Sequence, residues 1–455
     1  MSFIDGTAVN VALPILQRDL AASAANVQWV VEGYSLFLSA LILIGGSLGD
    51  VFGRRRIYAL GIALFALASI ACGLAPSIET LVVARCVQGI GGALALPGSL
   101  ALISATYEGE ARGRAIGTWS GFSAITSALG PVLGGWLVQA GSWRLVFLIN
   151  VPLAVLVLAI LAFRVRESRD REASHRLDVP GAVLATLGLG ALVYGLIRLQ
   201  SGGDAAGAIV ATAGACGLVA FVAVERRSTH PMMSLDLFRS RTFAVANLYT
   251  FALYATLGGG LYFVPFDLID VQGYSPAEAG AALLPFVAIM FPLSRFSGGI
   301  ALRTGPRAPL AIGAAFAAAA FAVFASAGIA HPYWTTFFPG AVLLGIGGAA
   351  FVAPLTTTVM GAVSSSHAGV ASGINNALSR TAGLVAIAAL GIVLAHTAAA
   401  SATDHRAIGS AAKTAYAAGF RATMLCCAFF AACASLVALL GFPRDLAMTA
   451  PRRDR

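Results

Sequence analysis

Charged residues are scarce in this chain. Asp, Glu, Lys and Arg make up 11% of its 455 residues, less than half the roughly 25% of a soluble domain. That is too little charge to coat a soluble core of this size. Lysine is all but absent, with Lys413 the single example. This removes the phosphate-binding loop that ends in Gly-Lys, and with it P-loop use of ATP. The six cysteines (Cys72, Cys86, Cys216, Cys426, Cys427 and Cys433) lie in apolar stretches without the paired spacing of a zinc or redox motif. They read as small hydrophobes. The histidines (His175, His230, His331, His367, His396 and His405) are scattered and form no metal or nucleophile constellation. An enzyme is therefore not expected. Short alternating apolar segments are missing too, which excludes a transmembrane β-barrel.

Apolar sequence fills the space that charge leaves. Hydrophobic residues reach 58% and the mean hydropathy is +0.85. A helix crossing a bilayer needs about 20 mostly apolar residues. That ruler places fourteen spans near 1–17, 27–49, 57–75, 79–104, 113–140, 143–163, 178–200, 205–225, 242–268, 277–302, 308–330, 334–361, 367–396 and 416–442. The fold class expected is an all-α membrane protein.

The net charge of +9 would point to nucleic acid in a soluble protein. Here it tracks membrane topology. Arginines gather after even-numbered spans: Arg54, Arg55 and Arg56, then Arg112 and Arg114, then Arg164, Arg166, Arg169, Arg171 and Arg176. Arg226, Arg227, Arg239 and Arg241 follow, then Arg303 and Arg307, and finally Arg444, Arg452, Arg453 and Arg455. Connections after odd-numbered spans hold few. The positive-inside rule puts the arginine-rich side and both termini in the cytoplasm. The first span starts at Met1 and places Asp5 at about the depth of the bilayer midplane. It reads as a shortened helix, expected from a misassigned start or a truncated clone, and it lacks the basic start of a signal peptide.

A pattern recurs within the chain. Gly89-Ile90-Gly91-Gly92-Ala93 returns as Gly345-Ile346-Gly347-Gly348-Ala349, each followed by a proline, Pro97 and Pro354. Arg114-Ala115-Ile116-Gly117 corresponds to Val370-Ala371-Ser372-Gly373, and the segment from Gly49 to Arg55 to that from Ala301 to Arg307. The offset equals eight helices, as expected of six-helix halves with two inserted helices. Parallel halves of this kind are a transporter plan. The expected organisation is 1–163, an N-terminal half; 164–241, a linker with the two inserted helices; 242–442, a C-terminal half; and 443–455, a cytoplasmic tail. Charge breaks the symmetry, since Asp50 meets Leu302 and Arg85 falls near Ala341.

Ionisable residues within lipid are costly and point to function. The candidates are Asp5, Glu32, Arg85, Arg295 and Arg380. Desolvation favours the protonated form of a carboxylate, and an approaching cation reverses the preference. That is the minimum chemistry for exchanging a proton against a cationic substrate, and Asp5 is the leading candidate for it. Arg85 cannot lose its proton, so it must face water or pair with a carboxylate, Asp5 or Glu32. Glu32, after Trp29, also fits a position at the membrane boundary. Gly46, Gly53, Arg54 and Arg55 flank Asp50 in a tight turn, where Asp50 can hold an arginine or helix N-terminus of a neighbouring helix as a cytoplasmic latch. Gly130-Pro131 and Gly134-Gly135 suit close helix packing with a bend, as a pivot or seal. Asn10, Tyr34, Gln88, Trp119, Phe122 and Tyr254 are candidates for lining a substrate cavity.

Together these residues resemble the major facilitator superfamily, in its fourteen-helix drug:proton antiporter branch of the EmrB/QacA type. Gly46 to Arg56 resembles the family's cytoplasmic loop signature. Arg85 with Gln88-Gly89 resembles its fourth-helix signature, and Gly130-Pro131 with Gly134-Gly135 its antiporter signature. Ile4 to Pro14, Trp143-Arg144 with Phe147, Asn150 and Pro152, and Ala368 to Asn376 resemble the fourteen-helix branch. The resemblance implies alternating access and export of hydrophobic, cationic compounds driven by the proton-motive force without a cofactor. It implies Asp5 and Arg85 in coupling, Asp50 in the gate, and Gly130 and Pro131 in the antiporter helix. The alternatives are a dedicated exporter of one metabolite or antibiotic, and a transport-dead sensor. The expected partners are a small-molecule substrate, protons and the lipid of a bacterial inner membrane. A periplasmic adaptor joins them if the host is Gram-negative. No nucleic acid or metal is expected, and the chain is expected to be a monomer.

Overall fold

The computed structural model describes residues 1–107, 109–169, 178–200, 205–228, 231–363, 368–401 and 410–443, and their secondary structure is helical. Arg171, Arg176, His175, His230, His367, His405 and the tail from 444 onward lie outside the described residues, as do the side chains of Arg112, Arg114, Arg295 and Arg303. Among the described residues, twelve helices are long and apolar enough to cross a membrane, against the fourteen expected. Outside that count are α1 (Ser2–Asp19), whose 18 residues include Asp5, Arg18 and Asp19, and α5 (Gly109–Ala140), with its shorter apolar stretch Leu129–Ala140.

The chain divides into two compact units, Met1–Met233 with Tyr274–Ala281, and Ser234–Gly273 with Ala282–Arg455. In the first, α4 (Ile78–Thr106) packs between α2 (Ala24–Phe52) and α3 (Arg54–Gly73), and α1 lies on α5. The short α6 (Arg144–Leu148) and α7 (Asn150–Arg164) cover α3. Helices α8 (Val179–Gln200) and α9 (Ala205–Arg227) form a hairpin whose first helix rests on α2. The second unit contains α10 (Arg241–Phe266), and the six-residue α11 (Pro276–Ala281) that follows belongs with the first. Next come α12 (Leu284–Thr304), α13 (Arg307–Phe324), α14 (Phe337–Gly361), α15 (Ala368–Ser401) and α16 (Ser410–Gly441). Here α14 packs against α12 and α13, and α10 against α15 and α16.

Two expected spans are interrupted, and proline explains both. The span near 143–163 breaks after Leu148 and the one near 277–302 after Ala281. A proline has no N–H and its ring collides with the carbonyl four residues earlier. Pro152 and Pro285 stand four residues beyond those two ends. Serine side chains cap other helices, with Ser240 capping α10. Ser77 and Thr80 form a capping box ahead of α4, and Ser23 accepts from Asn26 N at the start of α2.

The recurring glycine pattern has a packing counterpart in each unit. A Cβ on Gly89 would strike the Tyr34 carbonyl of α2, and one on Gly91 would sit 2.6 Å from Phe65 N of α3. In the second unit, a Cβ on Gly345 would lie 2.7 Å from the Phe286 carbonyl oxygen of α12, and one on Gly347 would lie 2.7 Å from the Gly313 carbonyl oxygen of α13. The same glycines let the fourth helix of each set approach its two neighbours at backbone distance, as small residues do within membranes.

Candidate functional site

A polar network is sealed inside the first unit. Asp5 (0% exposed) and Arg85 (1% exposed) form an ion pair, with Arg85 Nη1 2.6 Å from Asp5 Oδ2. Gln88 Nε2 donates to Asp5 Oδ1 at 3.1 Å and Asn150 Nδ2 donates to the same oxygen at 3.0 Å. Gln88 lies one turn after Arg85 and accepts from its Nη1 at 2.6 Å. Ser69 Oγ accepts from Gln88 at 2.7 Å and from Asn150 at 3.3 Å. Arg85 Nε donates to the Val30 carbonyl at 2.8 Å, and the guanidinium stands 4.3 Å over the Tyr34 ring. Five helices thus contribute: α1, α2, α3, α4 and α7.

The donor and acceptor pattern has a chemical consequence. The Asp5 carboxylate is met by donors: a guanidinium and two amides. An ionised carboxylate only accepts, so it matches this surrounding. A protonated carboxyl must also donate. Gln88 Oε1 and Ser69 Oγ are already engaged, and the acceptor left over, Asn150 Oδ1, belongs to the amide whose nitrogen faces Asp5, so it can serve only if that amide turns over. A proton arriving on Asp5 therefore requires the network to rearrange.

Of the two carboxylates that the sequence offers Arg85, the structure selects Asp5. Glu32 is instead fully buried on α2, where Gln28 Nε2 donates to its Oε1 at 3.4 Å and its Oε2 has no partner. Its hydrogen bond is separate from the Asp5 network. Tyr34, expected in a cavity wall, is 2% exposed and packs under Arg85 and against Phe65. Gln88 likewise sits in the network.

The glycines of α5 hold α1 in place. A Cβ on Gly130 would collide with Thr7 Oγ1, and one on Gly134 would lie 2.5 Å from the Ala8 carbonyl oxygen and 2.9 Å from Ala8 Cα. Asp5 is one turn away on the same helix. On its other side, α5 meets α11, where a Cβ on Gly135 would strike the Pro276 carbonyl and one on Gly280 the Pro131 carbonyl.

The loop between α2 and α3 is a single residue, Gly53, with φ of +112°, a conformation that glycine adopts without Cβ strain. Across it, Asp50 of α2 pairs with Arg54, the first residue of the neighbouring α3, at 2.7 Å to Nη2 and 2.8 Å to Nε. Gly46 contacts Pro97 of α4. The partner from elsewhere is Glu167, whose carboxylate accepts from Arg55 N at 3.0 Å and Arg56 N at 3.2 Å. It caps the positive end of α3. The Arg55 side chain reaches the Ala162 carbonyl at 3.3 Å.

The remaining candidates do not converge. Trp119 stacks edge-on against Phe3, with ring centroids 6.2 Å apart, and Phe122 is 64% exposed. Asn10 is half-buried on α1, with Oδ1 lacking a partner. Tyr254 of α10 lies within electrostatic reach of Arg380 of α15. In the second unit, Asn375 donates to Asn247 Oδ1 at 3.1 Å and to Thr250 Oγ1 at 2.7 Å. Sequence reasoning passed over Asp267, buried at a π-helical turn after α10 and bonded to Gln272. A carboxylate at the end of an apolar run was the available signal.

Long apolar helices with a sealed charge pair among them define a multi-pass membrane transporter. The sequence matches the Major Facilitator Superfamily over residues 1–388, and the chain belongs to that family. It is a transporter and not an enzyme. Similar proteins include Multidrug resistance protein Stp of Mycobacterium tuberculosis (strain CDC 1551 / Oshkosh), 39% identical over 398 residues, spanning 87% of this chain and 74% of that one. Tetracenomycin C resistance and export protein of Streptomyces glaucescens is 36% identical over 407 residues, again spanning 87% and 74%. Puromycin resistance protein pur8 of Streptomyces alboniger is 36% identical over 412 residues, spanning 88% and 81%. Among solved structures, a bacterial homologue of the human lysosomal transporter Spinster superposes with a TM-score of 0.67 at 19% identity, over 96% of this chain and 93% of that one. The peptide transporter POT in complex with sulfate gives 0.66 at 17% identity, over 96% and 92%. At these identities the structural likeness concerns the fold.

Proposed function

We propose that the protein exports hydrophobic, cationic, drug-like compounds from the cytoplasm in exchange for protons, by alternating access in the bacterial cytoplasmic membrane. Its arginine-rich side and both termini face the cytoplasm. The observation that carries the reading is the donor-only surrounding of Asp5. A proton reaching Asp5 cancels the negative charge, and Arg85 keeps its own. The ion pair then no longer ties α1 to α4, and a buried charge without its counter-charge costs several kcal/mol. Proton arrival and helix movement are thereby linked. The α5 glycines transmit the movement, because they leave α1 no slack. Relatives named for drug and antibiotic resistance support the outward direction of transport. Two of them are named for one compound each, which favours a narrower reading, export of a single antibiotic or metabolite, as the second choice.

Everted membrane vesicles test the reading. With a proton gradient established, adding a lipophilic cation should release protons from the vesicle interior, and Asp5→Asn should abolish that release. A release that survives Asp5→Asn would overturn the role of Asp5. Transport of a labelled compound without proton movement would overturn antiport.

A further inference from the structure

The α8–α9 hairpin carries a second buried acidic site, remote in sequence from Asp5. Asp178 precedes α8 and Glu225 lies in the last turn of α9, and they are 9% and 2% exposed. Each spends one oxygen on a backbone donor. Asp178 Oδ1 accepts from Gly181 N at 2.8 Å, and Glu225 Oε2 accepts from Met233 N at 3.1 Å. The other two oxygens, Asp178 Oδ2 and Glu225 Oε1, are buried without a partner. They converge. A Cβ placed on Gly181 would lie 2.8 Å from each of them, so they are separated by at most twice 2.8 Å.

We propose that Asp178 and Glu225 share one proton, which lies between Asp178 Oδ2 and Glu225 Oε1 and fastens both ends of the hairpin to the chain at Met233. Two ionised carboxylates have four acceptors and no donor between them. Facing each other out of water they repel, and desolvation opposes both charges. One proton turns one oxygen into a donor and satisfies both orphaned atoms with a charge-assisted bond. Among the described residues, no cation does this instead. On α9 the adjacent Arg226 and Arg227 are exposed. On α8 the remaining charge is Arg198, roughly 30 Å along the helix at 1.5 Å per residue. The segment 231–233 has no charged residue. From α2, Trp29 and Leu36 face α8, and the Glu32 carboxylate is bonded to Gln28. Met233 ends the first stretch of the first unit. The proton therefore holds the point where the chain leaves the hairpin for the second unit, and losing it leaves two like charges in contact.

The test uses the full-length protein in lipid nanodiscs, with Asp178→Asn and Glu225→Gln. Either amide supplies the bridging N–H without a proton and keeps the existing backbone bond. The infrared carbonyl stretch of a protonated carboxyl should be present in the wild type at neutral pH and lose the same component in each variant. Because the folded state holds a proton that the unfolded state releases, wild-type thermal stability should fall as pH rises through the neutral range. In either variant that component of the slope should vanish. Wild-type protein without the carbonyl band, or a pH slope unchanged in a folded variant, would overturn the proposal. Stabilisation by sodium at fixed pH that either variant abolishes would replace the proton with a metal cation. If both variants fail to fold, a wild type without the band still overturns the proposal, and a band that survives Glu32→Gln together with Asp267→Asn, which remove the other buried carboxyls outside the Asp5 and Arg85 pair, supports it.

Discussion

The buried pair of Asp5 and Arg85 can be weighed by a double-mutant cycle. Asp5→Asn removes the counter-charge and places an NH2 group against a ring of donors, Arg85 Nη1, Gln88 Nε2 and Asn150 Nδ2. Arg85 cannot escape by losing a proton. It keeps the Val30 carbonyl, Gln88 Oε1 and the face of Tyr34. Breaking a buried pair in this way costs about 3–5 kcal/mol. Arg85→Gln leaves Asp5 with two amide donors, and Asp5, unlike Arg85, can neutralise itself by taking up a proton. That variant should be destabilised comparably at neutral pH and less at acid pH. Combining Asp5→Asn with Arg85→Gln removes both charges, and the pair should recover about 1–3 kcal/mol relative to the sum of the single effects. Denaturant titration of the purified full-length protein in mixed micelles gives the four free energies. Transport should be absent in all three variants. If the single costs add to within about 0.5 kcal/mol, the two residues are independent, and the coupling attributed to them fails with that result.

Two further outcomes follow from the helix contacts. Gly134→Val would force α5 away from Ala8, where even a Cβ lies 2.5 Å from a carbonyl oxygen. Overpacking of this kind costs about 1–3 kcal/mol, and export should collapse while the amount of protein in the membrane is largely kept. A wild-type export rate in that variant would show that α1 has slack. Glu167→Ala would leave Arg55 N and Arg56 N without their acceptor, at about 0.5–1.5 kcal/mol each. The Arg56 ion pair is solvent-exposed and adds little. Hydrogen exchange should accelerate in the first turn of α3, and unchanged protection there would exclude the cap.

How much of this was readable in the sequence depended on the kind of signal. Long apolar runs announce helices, because a membrane leaves no other way to satisfy the backbone. Their interruptions were hidden, since proline stops α6 and stands in the first turn of α12, yet Pro97, Pro131 and Pro354 lie within continuous helices. Only the neighbours of each proline decide. The pairing of Asp5 with Arg85 was within reach because a charge in lipid must find its opposite. Ser69 was passed over and Asn150 entered only through a resemblance, without a role, because a neutral polar residue in an apolar run does not announce its partner. Asp50 was assigned to an arginine or helix start of a neighbouring helix, and its partner Arg54 opens α3, only four residues on. Glu167 comes from 112 residues away from Arg55, and nothing local marks it. Asp178 and Glu225 lie beside arginine clusters, where they pass for loop charges.

The repeat makes the distribution of charge informative. Gly89 and Gly91 in one unit and Gly345 and Gly347 in the other create the same close helix approaches, so the recurring pattern serves the same packing in both. The polar networks within these similar frames differ in kind. The first unit has the ion pair of Asp5 and Arg85, whereas α10 and α15 of the second are joined by Asn375, Asn247 and Thr250. Amides and hydroxyls keep their charge state when pH changes, so that network cannot convert a proton into a force. Asp267 of the second unit, also buried, stands at a π-helical turn and bonds to Gln272 five residues on, which itself donates to the Gly328 carbonyl beyond α13; among the described residues no cation forms an ion pair with it. Under the antiport reading, the first unit therefore does the proton work. Replacing Asn375 by alanine should weaken the second unit without altering the pH dependence of export, whereas Asp5→Glu, which keeps a titratable carboxyl but moves it, should alter it.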